Sequence, residues 1–236
     1  MSETNNVLTL TRVTKEYQSG DHVLQVLKGA DLSIRAGETI AIVGPSGSGK
    51  STLLGLLAGL DRVTSGTIEF EGQAIQNWNE DQLAQWRRKH VGFVFQDFRL
   101  IPSFTALENV ALPMEILGSD ANEANQKAQE LLTKLGLGER THHFPHQLSG
   151  GEQQRVAIAR AYVHQPEIIF ADEPTGNLDP KTSGSILNSL FDLHKNQKTT
   201  LVLVTHDFEI AKMMQRQVRI DDGTCVVTEN QEGGEA

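Results

Sequence analysis

The sequence has only one cysteine among its 236 residues. A lone thiol, Cys225, excludes a disulfide within the chain and favours a reducing compartment. Cys225 lies late in the chain among valines, and we predict a strand-edge residue without a chemical role.

Positive charge is also scarce, since 21 lysines and arginines stand against 30 acidic residues, a formal net charge of −9. A general nucleic-acid binder needs a cationic face that displaces counterions from phosphates. The acidic balance argues against that class, and we expect no nucleic-acid partner, although a local basic patch is compatible with it.

Long hydrophobic runs are missing as well: no stretch approaches the roughly 20 apolar residues of a membrane-spanning helix. The apolar run 53–60 is short and closely flanked by polar residues. Residues 1–6 are polar and lack the basic and apolar regions of a signal peptide. We therefore expect a protein that is soluble by itself and that reaches a membrane only through a partner.

The order of the predicted elements indicates a parallel α/β core. Hydrophobic residues make up 38% of the chain, enough for one large domain. Hydrophobic patterning predicts strands at 7–13, 38–43, 66–72, 91–95, 168–171 and 200–204, and a pair of short strands within 23–34. It predicts helices at 51–60, 81–89, 122–135 and 149–163.

The middle of the chain has a different character. Residues 97–147 read as helical stretches broken by Pro102, Pro113 and Pro145, which indicates a helical insertion. We predict a single domain over residues 1–228, with a helical subdomain at about 97–165. Residues 229–236 are polar and contain glycine, which predicts a flexible tail.

A glycine-rich motif joins a predicted strand to a predicted helix. It fits the phosphate-binding loop pattern and consists of Gly44, Pro45, Ser46, Gly47, Ser48, Gly49, Lys50, Ser51 and Thr52. The glycines let successive N–H groups turn inward around anionic oxygens, and the helix adds its positive N-terminal end. Lys50 can neutralise the outer phosphates, and the Ser51 hydroxyl can ligate Mg²⁺. The motif predicts that the chain binds and hydrolyses ATP.

Two acidic residues, Asp172 and Glu173, follow the predicted buried strand 168–171. Asp172 is predicted to hold Mg²⁺, directly or through water, and Glu173 to orient or deprotonate the attacking water. Alone, such a pair can simply mark the start of a loop. The phosphate loop upstream favours the catalytic interpretation.

The run Leu148-Ser149-Gly150-Gly151-Glu152-Gln153 resembles the signature of the ATP-binding cassette (ABC) ATPases. Four further motifs of that family occur in its order: an adenine-stacking aromatic, a Q-loop glutamine that touches Mg²⁺ and the water, a D-loop, and a switch histidine. They are Tyr17, Gln96, Gly176-Asn177-Leu178-Asp179 and His206. The resemblance covers roughly residues 7–223. It implies the fold of a P-loop NTPase cassette, with a parallel RecA-like core, an N-terminal antiparallel β subdomain and a helical insertion.

The resemblance also implies a shared nucleotide site. It assigns Ser149, Gly150, Gly151 and Gln153 to ATP bound by a second copy of the chain, so that two ATP molecules lie between paired subunits. The open alternative is that Ser149 to Gly151 merely cap a helix. His206 is expected to contact the γ-phosphate and to support the water at Glu173.

Further stretches resemble the lipoprotein-release and macrolide-export branch of the family (LolD, MacB and FtsE relatives), and most closely its YbbA-like members. They are 92–96, 100–102, 106–113 and 171–179. The branch implies a cytoplasmic ATPase at the bacterial inner membrane. It drives an integral permease supplied in trans and acts on lipids, lipoproteins or hydrophobic compounds. The ATPase of a solute importer and a soluble ABC ATPase outside transport are the alternatives.

An apolar segment after Gln96 contains Phe98, Leu100, Ile101 and Phe104. These residues are interpreted either as a pocket for a helix of the membrane partner or as part of the insertion's own core. Both interpretations stay open at this point.

Overall fold

The structure is a computed structural model, which describes residues 5–20 and 22–229. The described chain forms two compact units: one runs up to Arg87 and resumes at Thr200, and the other is Arg88–Thr199. The predicted helical subdomain at 97–165 falls inside the second unit, which also contains strands. Glu229 ends the last strand, and the remainder of the predicted tail lies outside the described residues.

The described residues contain ten strands and seven α-helices. The strands are β1 (Asn6–Ser19), β2 (His22–Arg35), β3 (Thr39–Val43), β4 (Ser65–Phe70), β5 (Gln73–Ala74), β6 (Val91–Phe95), β7 (Ile168–Asp172), β8 (Thr200–Val204), β9 (Arg216–Asp221) and β10 (Thr224–Glu229). The helices are α1 (Lys50–Leu57), α2 (Glu80–His90), α3 (Ala106–Ile116), α4 (Ala121–Lys134), α5 (Gly150–Tyr162), α6 (Pro180–Gln197) and α7 (Phe208–Lys212).

The first unit combines an antiparallel sheet with a mainly parallel one. The antiparallel sheet has the strand order β2-β1-β4-β5. In the other sheet β3 pairs in parallel with both β8 and β9, and β10 adds an antiparallel strand beside β9. Strands β3 and β8 are buried along their whole length, as expected of central parallel strands. The predicted parallel core and N-terminal antiparallel sheet are confirmed.

The prediction of two short strands within 23–34 is wrong. One strand of 14 residues, β2, runs through this region because it pairs along its length with β1. The pairing contains several register shifts, and Arg12 in β1 takes a left-handed φ of 46°. Such bulges let two long strands stay paired while they bend.

The second unit pairs β6 with β7 in parallel and adds helices α3 to α6. A capping box between Thr105 and Glu108 starts α3, and Asp120 caps α4. The expectation that Pro113 breaks a helix is wrong, because α3 continues through it. The proline lies in the last turn, and the N–H of Leu117 still donates to its carbonyl at 3.2 Å.

Cys225 lies in β10, at the end of its sheet and opposite Ile220. Burial, together with the charge of Asp31, raises the pKa of its thiol to about 11. The thiolate is the reactive form, so the raised pKa leaves Cys225 unreactive at neutral pH. Over the part of the chain that the structure describes, no helix is both long and apolar enough to cross a bilayer.

Candidate functional site

The phosphate loop follows the buried strand β3 and ends in α1. Gly47 and Gly49 have left-handed φ values of 77° and 99°, which glycine adopts without cost. A Cβ atom at Gly44 would lie 2.7 Å from Ser48 Oγ and 2.9 Å from the carbonyl oxygen of Ile220. The backbone of the loop therefore requires glycine at the positions that the motif specifies.

The N-terminus of α1 is open to an anion. No side chain caps it, and its first turn contains no acidic residue, so its positive end is not neutralised locally. The Oγ atom of Ser48 is buried without a hydrogen-bond partner among the described residues. A buried hydroxyl without a partner is unfavourable and suits a site that receives a polar ligand. The rim residues Pro45 and Ser46 are exposed, as is Ser51 in the first turn, while Thr52 is half-buried.

The Lys50 side chain folds back on the loop. Its Nζ donates to the carbonyl oxygens of Gly44 and Pro45 at 3.0 and 2.9 Å. An ammonium group has three donors, and these two bonds use two of them. The loop thus holds a positive charge at its own carbonyl oxygens.

Tyr17 lies in β1 with 39% of its surface exposed. Its hydroxyl donates to Asp61 Oδ2 at 2.7 Å, and Lys15 Nζ lies 4.6 Å from the ring centroid and 2.7 Å from Asp61 Oδ1. Partial burial and the bond to Asp61 raise the pKa of the Tyr17 hydroxyl. Burial opposes the ionisation of Asp61, but the bonds from Lys15 and Tyr17 outweigh it and lower the pKa of that carboxyl. The ring is therefore held at its polar end and on one face.

Sequence reasoning named Tyr17 but neither of its supports. The sequence could have placed Lys15 beside Tyr17, because side chains two residues apart on a strand share a face. Nothing in the local sequence indicates the contact with Asp61, which lies 44 residues from Tyr17.

His206 is exposed in the turn between β8 and α7. The preceding Thr205 is buried; its N–H donates to the carbonyl of Ile42 at 3.2 Å, and its hydroxyl accepts from the N–H of Asp207 at 3.0 Å. Asp207 in turn caps α7. These bonds fix the backbone on both sides of His206 at the carboxyl end of β8. The first unit therefore contains Tyr17, the phosphate loop and His206.

The second unit contains the acidic pair. Asp172 ends β7 opposite Phe95 of β6, and both Asp172 and Glu173 are half-buried. Glu173 has a left-handed φ of 46°, an unfavourable conformation for a residue with a side chain. Backbone strain of this kind is concentrated at functional sites, where the surrounding structure enforces it.

A buried glutamine, Gln154 of α5, fixes the loop that contains the acidic pair. Its Nε2 donates to the carbonyl of Pro174 at 2.6 Å and lies 3.5 Å from that of Phe95. Sequence reasoning missed Gln154 and named its neighbour Gln153, whose Nε2 instead donates to the carbonyl of Leu148 at 3.1 Å. A signal was available, since α5 was predicted and a polar residue on its apolar face requires a partner.

The Q-loop and the D-loop are joined by side-chain hydrogen bonds. Gln96 Nε2 donates to Asn177 Oδ1 at 3.1 Å. Asn177 Nδ2 donates to the carbonyl of Gln96 at 3.2 Å and to Asp97 Oδ1 at 3.0 Å. Asp179, the last D-loop residue, caps α6 by accepting from the N–H groups of Lys181 and Thr182. The structure therefore brings Gln96 and the D-loop together.

The signature residues begin α5. Ser149 and Glu152 form a capping box: Glu152 Oε2 accepts from both the N–H and the hydroxyl of Ser149 at 2.8 Å. These bonds lower the pKa of the Glu152 carboxyl. A Cβ atom at Gly151 would lie 2.6 Å from Thr182 Cγ2, so glycine is required where α5 approaches α6. Within one chain the helix-cap interpretation is therefore realised, and a role of these residues toward a second copy stays a prediction.

The apolar segment after Gln96 is partly packed on its own unit. Phe98, Leu100, Ile101 and Phe104 are all half-buried. The buried Asn109 closes the segment by exchanging hydrogen bonds with the backbone of Ile101 at 2.8 and 3.1 Å. Each of the four residues is thus partly packed on the second unit and partly exposed, as both interpretations require.

Comparison with known proteins gives a consistent result. The family described as ABC transporter matches residues 27–176. The uncharacterized ABC transporter ATP-binding protein YbbA of Escherichia coli K12 is 50% identical, covering 92% of this chain and 96% of its own. LolD, the ATP-binding protein of the lipoprotein-releasing system of Idiomarina loihiensis, is 47% identical, covering 93% and 96%.

Among solved structures, the ATP-binding cassette MJ0796, a dimer bound to ADP and Pi, superimposes with a TM-score of 0.87. It is 41% identical, and the match covers 94% of this chain and 98% of that one. The fold, the loop geometry and these similarities agree. The chain therefore belongs to the ABC transporter family, as one of its ATP-binding and ATP-hydrolysing cassettes.

Proposed function

We propose that this chain is the ATPase subunit of an ABC complex of the lipoprotein-release and macrolide-export type. The observation that carries the proposal is the open N-terminus of α1 behind the glycine loop, with Lys50 held beside it. Similarity to YbbA and LolD at about half of all positions supports the assignment to this branch.

The phosphate loop is proposed to bind the phosphates of ATP. The N–H groups of the uncapped first turn of α1 supply hydrogen-bond donors, and Lys50 has one donor left for a phosphate oxygen. Gly44 to Thr52 together form this surface. Tyr17 is proposed to stack on adenine with the ring face opposite Lys15.

The residues present suit Mg²⁺, which prefers oxygen ligands and is usually held by one or two protein groups together with phosphates. Ser51 offers an exposed hydroxyl, Asp172 a half-buried carboxylate and Gln96 an exposed amide oxygen. We propose that these three residues hold the ion. When bound, Mg²⁺ would offset the negative charge of the phosphates.

Glu173 is proposed to act as the general base toward the attacking water. Its left-handed backbone, fixed in part by the bond from Gln154 to Pro174, directs the side chain independently of the strand before it. His206 is proposed to contact the γ-phosphate and to support that water.

A second copy of the chain is proposed to complete the site. Ser149, Gly150, Gly151 and Gln153 would face the ATP bound by the partner copy. The dimeric state of the MJ0796 cassette supports this arrangement. Loss of the γ-phosphate contacts after hydrolysis would release the dimer and give an opening and closing cycle.

The membrane part of the machine is proposed to be an integral permease supplied in trans, with this chain on the cytoplasmic face of the inner membrane. The printed role of LolD in a lipoprotein-releasing system supports lipids, lipoproteins or hydrophobic compounds as the class acted upon. The net charge of −9 gives no support to a nucleic-acid partner.

The substitution Glu173→Gln tests the catalytic proposal. The amide keeps the size of the side chain and its backbone strain but cannot accept the proton. We expect ATP binding to persist, hydrolysis to fall about 100-fold or more, and an ATP-dependent dimer to accumulate in light scattering. Glu115→Gln, at an exposed position of α3, is the matched control. Hydrolysis at the control rate in Glu173→Gln would refute the assigned base.

Co-purification from native membranes in detergent tests the transport proposal. The expected companion is an integral protein with a large periplasmic domain. A permease recovered with a periplasmic solute-binding protein would instead favour the importer alternative. Stimulation of hydrolysis by nucleic acid, without any membrane companion, would favour an ATPase outside transport.

A further inference from the structure

The D-loop residue Asn177 fixes the orientation of the Gln96 side-chain amide. Asn177 Nδ2 donates to two groups that can only accept, the carbonyl oxygen of Gln96 and the carboxylate of Asp97, at 3.2 and 3.0 Å. Its Oδ1 must therefore point the other way, toward the end of the Gln96 side chain. That end is 3.1 Å away and has to present its NH₂ group, because an oxygen there would repel Oδ1.

The consequence concerns the other half of the Gln96 amide. With Nε2 bound to Asn177, the amide oxygen Oε1 is the atom left for a ligand, and no hydrogen bond to it occurs among the described residues. An amide ligates a hard cation through its oxygen and not through its nitrogen. We propose that Asn177 is a positioning residue that orients Gln96 so that Oε1 faces Mg²⁺. This inference rests on the proposed role of Gln96.

The neighbouring D-loop residue supports the same arrangement. A Cβ atom at Gly176 would lie 2.9 Å from Gln96 Nε2 and 3.1 Å from its Cδ. Glycine at this position lets the Gln96 amide lie against the D-loop backbone within reach of Asn177. Asn177 bonds to Gln96, and Gly176 leaves the space that the Gln96 amide occupies.

The backbone after Gln96 is fixed from another side. Phe98 and Arg99 both have left-handed φ values, 56° and 48°. The guanidinium of Arg160 in α5 donates to both of their carbonyl oxygens, at 2.8 and 2.5 Å. Because this turn is fixed by Arg160, the remaining freedom of Gln96 lies in its side chain, which Asn177 restrains.

The test measures how strongly Mg²⁺ enhances ATP binding. All substitutions are made in the Glu173→Gln variant, called the parent, because it binds ATP with little hydrolysis. Calorimetric titrations give its ATP affinity in Mg²⁺ and in EDTA. Asn177→Ala is expected to reduce the enhancement about tenfold, as loss of a partner of a metal ligand typically does, and to leave the affinity in EDTA unchanged. Asn188→Ala, an exposed asparagine of α6 without a contact to Gln96, should match the parent.

A double-variant comparison separates positioning from an independent effect. Gln96→Ala should reduce the enhancement at least as much as Asn177→Ala, and the combined variant should be no weaker than Gln96→Ala alone. Full enhancement in Asn177→Ala, additive losses in the combined variant, or no loss in Gln96→Ala would each overturn the inference. A parent that binds no ATP in either condition would overturn the proposed function itself.

Two further measurements complete the test. One replaces Asn177→Ala if that variant does not fold, and the other detects the hydrogen bond directly. Gly176→Ala keeps Asn177 but displaces Gln96, so it should show the same loss even where Asn177→Ala is unstable. In NMR spectra of the nucleotide-free protein, the Gln96 side-chain amide signals are identified by their absence from Gln96→Ala. They should shift in Asn177→Ala and stay in place in Asn188→Ala, and unshifted signals in Asn177→Ala would contradict the hydrogen bond.

Discussion

The phosphate loop of the first unit and the Q-loop of the second unit are built in different ways. The phosphate loop depends on backbone conformation, with glycine where φ is left-handed or where a Cβ atom would collide, as at Gly44 and Gly49. The Q-loop places side-chain-bearing residues, Phe98 and Arg99, in the same left-handed region. Hydrogen bonds from Arg160 and Asn177 stabilise it.

This difference suggests a division of labour. A backbone cradle with uncapped N–H groups binds phosphate at fixed geometry, so damage to it should reduce ATP affinity. A loop fixed by side chains from α5 and from the D-loop positions groups for chemistry and for Mg²⁺. Damage to it should therefore reduce turnover and the enhancement of ATP binding by Mg²⁺, and spare the ATP affinity measured in EDTA. Two substitutions test this division, and a third tests the backbone strain at Glu173; they follow in order of the expected effect.

Lys50→Ala should have the largest effect. It removes the charge that the loop holds at the carbonyls of Gly44 and Pro45. Hydrogen bonds to charged groups contribute about 1.5–3 kcal/mol, which corresponds to a 10- to 100-fold loss of ATP affinity. Equilibrium binding measures it, with the exposed Lys89→Ala as control. ATP affinity equal to that of the control would remove Lys50 from the phosphate site.

Arg160→Lys should reduce turnover about tenfold and leave the ATP affinity measured in EDTA within about twofold. Lysine keeps the positive charge, but a single ammonium cannot reproduce the planar fork that bonds the carbonyls of Phe98 and Arg99. Steady-state hydrolysis in Mg²⁺ and equilibrium ATP binding in EDTA are compared on the same preparation. A loss of affinity as large as the loss of turnover would break the division between the two loops.

Glu173→Gly should have the smallest effect, and the quantity it changes is the free energy of unfolding. Glycine adopts the left-handed φ of 46° freely, so it relieves strain that Glu173→Gln retains. After the entropy cost of glycine in the unfolded state, the gain in the free energy of unfolding should be about 0.5–1 kcal/mol over Glu173→Gln. Urea denaturation measures it. Equal or lower stability would show that the residue is not strained.

Much of the fold follows from hydrophobic periodicity. The strands at 91–95 and 200–204 were predicted to the residue, and both ends of α2, α4 and α5 to within one residue. Long-range pairing explains the failure at β2, which is continuous because β1 runs beside it. Strand β9 was not predicted, and β10 only through the strand-edge position given to Cys225. Helix α6 was missed although its sequence has a signal: Asp179 and Pro180 begin it, and apolar residues recur at helical spacing at Ile186, Leu187, Leu190 and Leu193.

The site shows the same limit. Short contiguous patterns predicted the phosphate loop and the acidic pair, and the family resemblance predicted the role of Gln96. Asn177 and Arg160 were not recognised as supports of Gln96, because their bonds to the Q-loop join residues 81 and 62 positions apart. Local patterns contain no information about which side chains meet across such distances.

One paired measurement tests the central claim most directly: ATP affinity and phosphate release, determined together for the unmodified chain, Lys50→Ala and Glu173→Gln. We predict that the unmodified chain binds ATP and releases phosphate. Lys50→Ala should lose ATP binding. Glu173→Gln should keep an ATP affinity within about twofold of the unmodified chain, and its rate of phosphate release should fall about 100-fold or more. Undiminished release by Glu173→Gln, or undiminished binding by Lys50→Ala, would contradict the account.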